Sequence, residues 1–171
     1  MSNIYFVTLS YNPESTYAYR TCLDRIAADD KNKKILYCTQ MGKTGTHEHY
    51  HLLIETDTDT IQKFRMRFRT YMNPLTPTKR NLDIGHAPTP GACLNYWARD
   101  ISSVVTNSIG PKAWDMGELK KQALALPDPG ATNPELPWSQ VYRKLIAAGW
   151  KYPERPGKYL KILSADWYVY H

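Results

Sequence analysis

The sequence predicts an α+β domain: an antiparallel sheet carrying helices on one face. Three observations carry that expectation. Short segments are rich in β-branched and aromatic residues, a glycine-containing turn joins two of them, and the stretches between them repeat apolar residues at helical spacing. Residues 3–11, NIYFVTLSY, read as the first strand and end at Asn12 and Pro13. Tyr19, Leu23, Ile26 and Ala27 mark one face of a helix lying between Pro13 and the polar run Asp29 to Lys34. A second strand, KILYCTQM, passes through GKTGT into a third, HEHYHLLIE, so the two form a hairpin. Residues 56–60 then supply capping threonines for a helix whose apolar face is Ile61, Phe64, Phe68 and Tyr71.

After a polar loop with Pro74 and Pro77, NLDIGHA makes a short fourth strand, and GACLNYWARDI reads as a helix with Leu94 and Trp97 or Ala98 inward. The order strand, helix, strand, strand, helix, strand, helix is that of a ferredoxin-like (RRM-like) sheet. This domain is expected over 1–115, a proline-rich linker over 116–137, and a helical C-terminal extension over 138–171. In that extension Trp138, Val141, Leu145 and Ala148 form an amphipathic helix closed by Gly149, a candidate surface for homo-oligomerisation.

Composition narrows the function. No apolar run is long enough for a signal peptide or a membrane span, so a soluble, intracellular protein without a membrane partner is expected. Cys22, Cys38 and Cys93 show no CxxC spacing, which points to buried apolar side chains rather than disulfides or a thiolate zinc site. Lys and Arg exceed Asp and Glu by 22 to 16, a net charge of +6 that suits a polyanion. Together with thirteen tyrosines and five tryptophans it suits single-stranded nucleic acid, against which cations and aromatic faces pair and stack. Arg65, Arg67, Arg69, Lys79 and Arg80 are candidates for backbone phosphates, although a charge run equally describes a solvated face. Thr8 and Ser10 alternate outward on the first strand and are candidate substrate contacts. A GxxxxGKS or GxxxxGKT phosphate loop does not occur, so a P-loop helicase is not expected in this chain.

The sharpest local signal is HEHYHLLIE. Side chains alternate along a strand, so His47, His49, His51, Leu53 and Glu55 share one face. His49 and His51 then stand about 6.6 Å apart at the backbone, close enough for their imidazoles to meet on one ion, whereas Glu55 is about 13 Å from His51 and too far. The third ligand comes more naturally from the neighbouring strand, where Gln40 lies across the hairpin. His47, beside the turn, is the less favoured choice. Two imidazoles and an amide oxygen suit Mn²⁺ better than Mg²⁺, since Mn²⁺ accepts nitrogen more readily. An isolated HxH is more often a pair of plain surface histidines.

Three segments in order change that balance. FVTLSYN near the N terminus, THEHYHLLIE and LNYWARD resemble the three motifs of the HUH endonucleases, in particular the single-tyrosine replication initiators of circular single-stranded DNA viruses and rolling-circle plasmids. The resemblance spans about the first 105 residues. It implies that His49 and His51 bind a divalent cation, Mn²⁺ or Mg²⁺, that Tyr96 is the nucleophile, and that Arg99 occupies the family's lysine position. Gln40 falls where the viral members commonly place a metal-binding Glu. Arginine for lysine keeps the cation and removes any neutral amine, and glutamine for glutamate lowers the affinity expected for the ion.

The implied activity is nicking of single-stranded DNA at an origin stem-loop. Tyr96 becomes linked to the 5′ phosphate and a 3′-hydroxyl is released, which conserves the bond for rejoining. Only about one tyrosine phenol in a thousand is ionised at neutral pH, so the reaction needs activation; at i and i+3 on a helix, Tyr96 and Arg99 share a face. The same resemblance implies a host nucleus if the source is a eukaryotic virus and a cytoplasm if it is a prokaryotic replicon. Two other readings compete: a single-tyrosine transposase of an insertion sequence, and a non-catalytic module that binds single-stranded nucleic acid.

Overall fold

The computed structural model describes residues 2–10, 16–40, 49–58, 60–77, 81–98, 103–126 and 168–170. Five strands pair antiparallel: β1 (Asn3–Ser10), β2 (Asn32–Gln40), β3 (His49–Thr56), β4 (Leu82–His86) and β5 (Val104–Asn107). They lie in the order β4-β1-β3-β2-β5, and β6 (Tyr168–Tyr170) adds to β5 in parallel. Helix α1 (Thr16–Ala28) joins β1 to β2 and α2 (Ile61–Met72) joins β3 to β4. With the first four strands in the order 4-1-3-2, this is the α+β, ferredoxin-like arrangement that the sequence predicts.

Alternation along β1 and β3 divides the core into two layers. Tyr5, Val7 and Leu9 of β1 and Tyr50, Leu52 and Ile54 of β3 point to one face. There they pack against Tyr19, Cys22 and Ile26 of α1 and Phe64, Phe68 and Met72 of α2. The α2 helix begins where the threonines predicted, since Thr60 Oγ1 accepts from the Lys63 backbone N–H at 3.2 Å.

The opposite face is covered as well, which adds to the expectation of helices on one face. Leu36, Cys38, Leu53 and Val105 pack there against Cys93, Leu94 and Trp97 of α3 (Gly91–Trp97) and Met116, Leu119 and Ala123 of α4 (Met116–Leu124). The linker anticipated from residue 116 is corrected here. Residues 116–124 are helical, because Asp115 caps the N terminus through the Glu118 backbone N–H at 3.2 Å and the apolar side chains at 116, 119 and 123 fall on the face that meets α3. The approach is close: a Cβ on Gly91 would lie 2.6 Å from the Leu119 carbonyl oxygen. Residues 127–137, the rest of the expected linker, and the amphipathic segment 138–149 lie outside the described residues, while 168–170, expected within a helical extension, form strand β6.

Candidate active site

The strand register builds the site. His49 pairs with Gln40 on β2 and with Ser10 on β1, and His51 pairs with Cys38 and Thr8. Residues 49 and 51 therefore share a face with Gln40, Thr8 and Phe6, as alternation requires. This is the face on which α3 packs, with Trp97 beside the histidines. His51 and Gln40 are each 6 % exposed, whereas Tyr96, on the outer side of α3, is 53 % exposed.

The donor atoms converge on one oxygen. Gln40 Oε1 lies 2.8 Å from His49 Nε2 and 3.0 Å from His51 Nε2, each of which donates to it when protonated. The same separations suit a shared ion. Ligands at about 2.1 Å occupying adjacent octahedral positions stand about 3.0 Å apart, and two imidazole nitrogens with an amide oxygen form a neutral, borderline donor set. These residues fit a divalent cation with a tolerance for nitrogen. Among the described residues no three of His, Cys, Asp and Glu gather in this way; the group that meets the two imidazoles is the Gln40 amide.

Neighbouring groups fix the orientation of the His51 ring. Thr8 Oγ1 lies 3.1 Å from His51 Nδ1. A hydroxyl both donates and accepts, so Thr8 serves either tautomer: it donates to Nδ1 when Nε2 carries the proton, and accepts from Nδ1–H when Nε2 offers its lone pair to a metal. Phe6 and Trp97 stack on the His51 ring with centroids 5.5 and 6.2 Å away and planes inclined by 22° and 24°. Gln40 Nε2 donates to Ser103 Oγ at 2.7 Å, and Ser103 Oγ donates to the Trp97 carbonyl at 2.7 Å. The Tyr96 ring stands edge-on to His51, its centroid 6.1 Å away at 85°, and edge-on to Phe6 at 6.5 Å.

The structure thus brings together His49, His51, Gln40, Thr8 and Tyr96 of the residues singled out in the sequence, with Ser10 on the same sheet face beside His49. Thr8 is a partner of His51 rather than simply an outward contact for substrate. His47, Arg99, Lys79 and Arg80 lie outside the described residues. Arg65 and Arg69 are not brought to the histidines, because α2 covers the other face; the Arg65 guanidinium donates to the Ile84 carbonyl at 3.2 Å. Arg67 is structural, donating to the Asp29 carboxylate and to the Tyr71 hydroxyl oxygen, the latter at 2.8 Å. Ser103 was missed by sequence reasoning. It lies 63 positions from Gln40, in no motif, and only the pairing of β2 with β5 brings it near.

Two features of the molecule stand apart from this site. All three cysteines are buried, and burial pushes the Cys22 and Cys93 thiols up to about 12, which leaves them as core side chains without thiolate character. A cavity of about 510 Å³ lies on the α1 side of the sheet, among Arg20, Asp24, Tyr37, Tyr50 and Thr106, away from the histidine face. No protein family, curated protein or solved structure matches this chain.

Proposed function

We propose that this protein is a metal-dependent, single-tyrosine endonuclease that nicks single-stranded DNA, of the kind that initiates rolling-circle replication at an origin stem-loop. The observation that carries the reading is the convergence of His49 Nε2, His51 Nε2 and Gln40 Oε1 within 2.8 to 3.0 Å beside an exposed tyrosine on α3. The ordered motif triple described above supports it from the sequence.

His49, His51 and Gln40 are the residues that would hold the cation. When bound, a divalent ion polarises a phosphodiester and neutralises its developing charge. The chain's own groups do the rest. Thr8 Oγ1 would accept from His51 Nδ1–H in the tautomer that leaves the Nε2 lone pair for the ion. Phe6 and Trp97 fix the plane of that ring and keep water from its inner side. Tyr96 supplies the nucleophile: its phenolic oxygen bonds to phosphorus, the bond from phosphorus to the 3′ oxygen breaks, and the phenol's proton ends on the 3′-hydroxyl. The 5′-phosphotyrosine link that results is an ester of similar energy to the one broken, so a second 3′-hydroxyl can reverse the step and rejoin strands.

The test is direct. Incubating the full chain with Mn²⁺ and a library of single-stranded stem-loop oligonucleotides is expected to give a covalent adduct on denaturing gels, and Y96F is expected to give none. An adduct that survives Y96F refutes the assignment. Binding without any adduct across the library makes the protein a non-catalytic nucleic-acid module instead. Because two of the three donors are nitrogens and no carboxylate joins them among the described residues, cleavage is expected at lower Mn²⁺ than Mg²⁺ concentration. Equal cleavage at low concentrations of each ion counts against the donor set.

A further inference from the structure

We propose that Ser103 is a positioning residue for the metal site: its hydroxyl sets which end of the Gln40 amide faces the histidines and ties that choice to the end of the helix bearing Tyr96. The inference rests on the metal-site reading above and names a residue which that reading does not contain.

A serine hydroxyl has a single proton to give. The Trp97 carbonyl, 2.7 Å from Ser103 Oγ, can only accept, so the proton is committed there. It is the carbonyl of the last residue of α3. With its proton spent, Ser103 Oγ meets the Gln40 side chain 2.7 Å away as an acceptor, and only the amide NH₂ can satisfy it. The amide oxygen must then point the other way, towards His49 and His51. Turning the amide over would set its NH₂ towards the imidazoles, where it could donate to Nε2 lone pairs but offer nothing to a cation, and would set its oxygen against a hydroxyl whose proton is already engaged. Ser103 and Gln40 are 3 % and 6 % exposed, so water has little access to repair that last loss.

A glutamine needs such a device and a glutamate does not. The two oxygens of a carboxylate are equivalent, whereas an amide has a right and a wrong end for a cation. The hydroxyl therefore accompanies the amide for a chemical reason, and it links the two halves of the site. Gln40, on β2, and the α3 residue next to Tyr96 are held by the same oxygen atom.

The test uses the full chain and Mn²⁺ alone, with affinity measured by calorimetry for the wild type, S103A, S103T, Q40E and the double variant Q40E/S103A. S103A is expected to weaken Mn²⁺ binding by about tenfold to a hundredfold, as loss of a partner behind a metal ligand typically does. S103T, which keeps the hydroxyl, is expected to restore it. In the Q40E background removal of the hydroxyl is expected to cost no affinity. In nicking assays S103A is expected to raise the Mn²⁺ concentration needed for half-maximal rate while leaving the rate at saturating Mn²⁺ unchanged.

An equal loss in both backgrounds makes Ser103 a general packing residue and overturns the proposal, as does an S103A chain with unchanged affinity. In wild-type protein the Gln40 side-chain amide, assigned by its disappearance in Q40E, is expected to give a solvent-protected NMR signal that persists when Mg²⁺ is added. Rapid solvent exchange there overturns the proposal even if S103A does not fold. A wild-type chain that neither binds Mn²⁺ nor nicks DNA defeats the metal reading itself, and this inference with it. A wild type that does both while S103A matches it defeats this inference alone.

Discussion

Two polar clusters stand at opposite ends of β3 and are built in opposite ways. At the far end, Asp29, Asn32, Thr58, Arg67 and Tyr71 interlock between α1, α2 and the strand ends. The Arg67 guanidinium spends its donors on Asp29, Asn32, Thr58 and the Tyr71 oxygen, and Tyr71 donates to Asp29 at 2.5 Å. Every charge has its opposite. At the near end, His49, His51 and Gln40 crowd neutral donors around a single oxygen. The first cluster closes on itself and holds two helices to the sheet; the second converges on a point where a cation fits. Among the described residues, the charged pair Arg67 and Asp29 therefore serves the fold, while the convergence at the near end is made from two imidazoles and an amide.

The largest expected effects test the near cluster. H49A removes a half-buried ligand and is expected to lower the nicking rate by at least about a thousandfold, since a catalytic metal contributes several kcal/mol and each 1.36 kcal/mol is tenfold. Its melting temperature should stay within a few degrees of wild type. T8V is expected to raise the Mn²⁺ requirement by about tenfold to a hundredfold, because His51 Nδ1 loses the hydrogen-bond partner behind the ligating nitrogen. If H49A nicks at wild-type rate, the contrast between the clusters collapses.

The far cluster should answer in stability instead. R67A leaves the Asp29 carboxylate and the Tyr71 hydroxyl short of a partner, at a cost of about 2 kcal/mol, or roughly 4 to 8 °C in melting temperature for a chain of this size. Nicking below that temperature should be unchanged, and a nicking rate that falls with R67A at constant folded fraction would place this arginine in the site after all.

Acid separates the clusters further. Burial works to raise the Asp29 carboxyl, but hydrogen bonds from Tyr71, Arg67 and the Lys31 backbone N–H outweigh it and hold the group at about 2. Tyr71 is pushed the other way, to about 12, by burial and by its bond to Asp29. A carboxyl depressed in the folded state contributes stability that is complete above the unfolded value near 4 and is lost as pH falls through the folded one. Wild-type stability should therefore drop between about pH 4 and pH 2, and D29N should flatten that drop in acid denaturation curves. An identical acid limb in D29N would remove Asp29 from the account.

Much of this contrast was legible in the sequence, for identifiable reasons. Period-two alternation put His49 and His51 on one face, and hairpin register put Gln40 opposite His49, both being local consequences of chain geometry. The helices α1 and α2 and strands β1 to β4 follow from patterns contained within a dozen residues. Ser103 did not show, because its meaning depends on a contact 63 residues away. The part Arg67 plays in the fold did not show for the same reason: a sequence displays a cation but not the carboxylate that consumes it. The α4 helix had a signal, an aspartate cap followed by Met116, Leu119 and Ala123 at helical spacing, which the neighbouring prolines masked.

The smallest expected effect bears on the remaining arginines. Each phosphate contact to single-stranded DNA contributes about 0.7 to the slope of log affinity against log salt. Arg65 and Arg69 lie on the helix that covers the face away from the histidines, and Arg65 is already bonded to the Ile84 carbonyl. A strand threaded past His49 and Tyr96 therefore has no path to them within the same sheet face. R65A and R69A are each expected to leave the salt slope unchanged in binding titrations with a stem-loop oligonucleotide. A decrease of about 0.7 for either variant would mean that the DNA wraps around the β4 edge to reach α2, and the binding surface would then extend over both faces of the sheet.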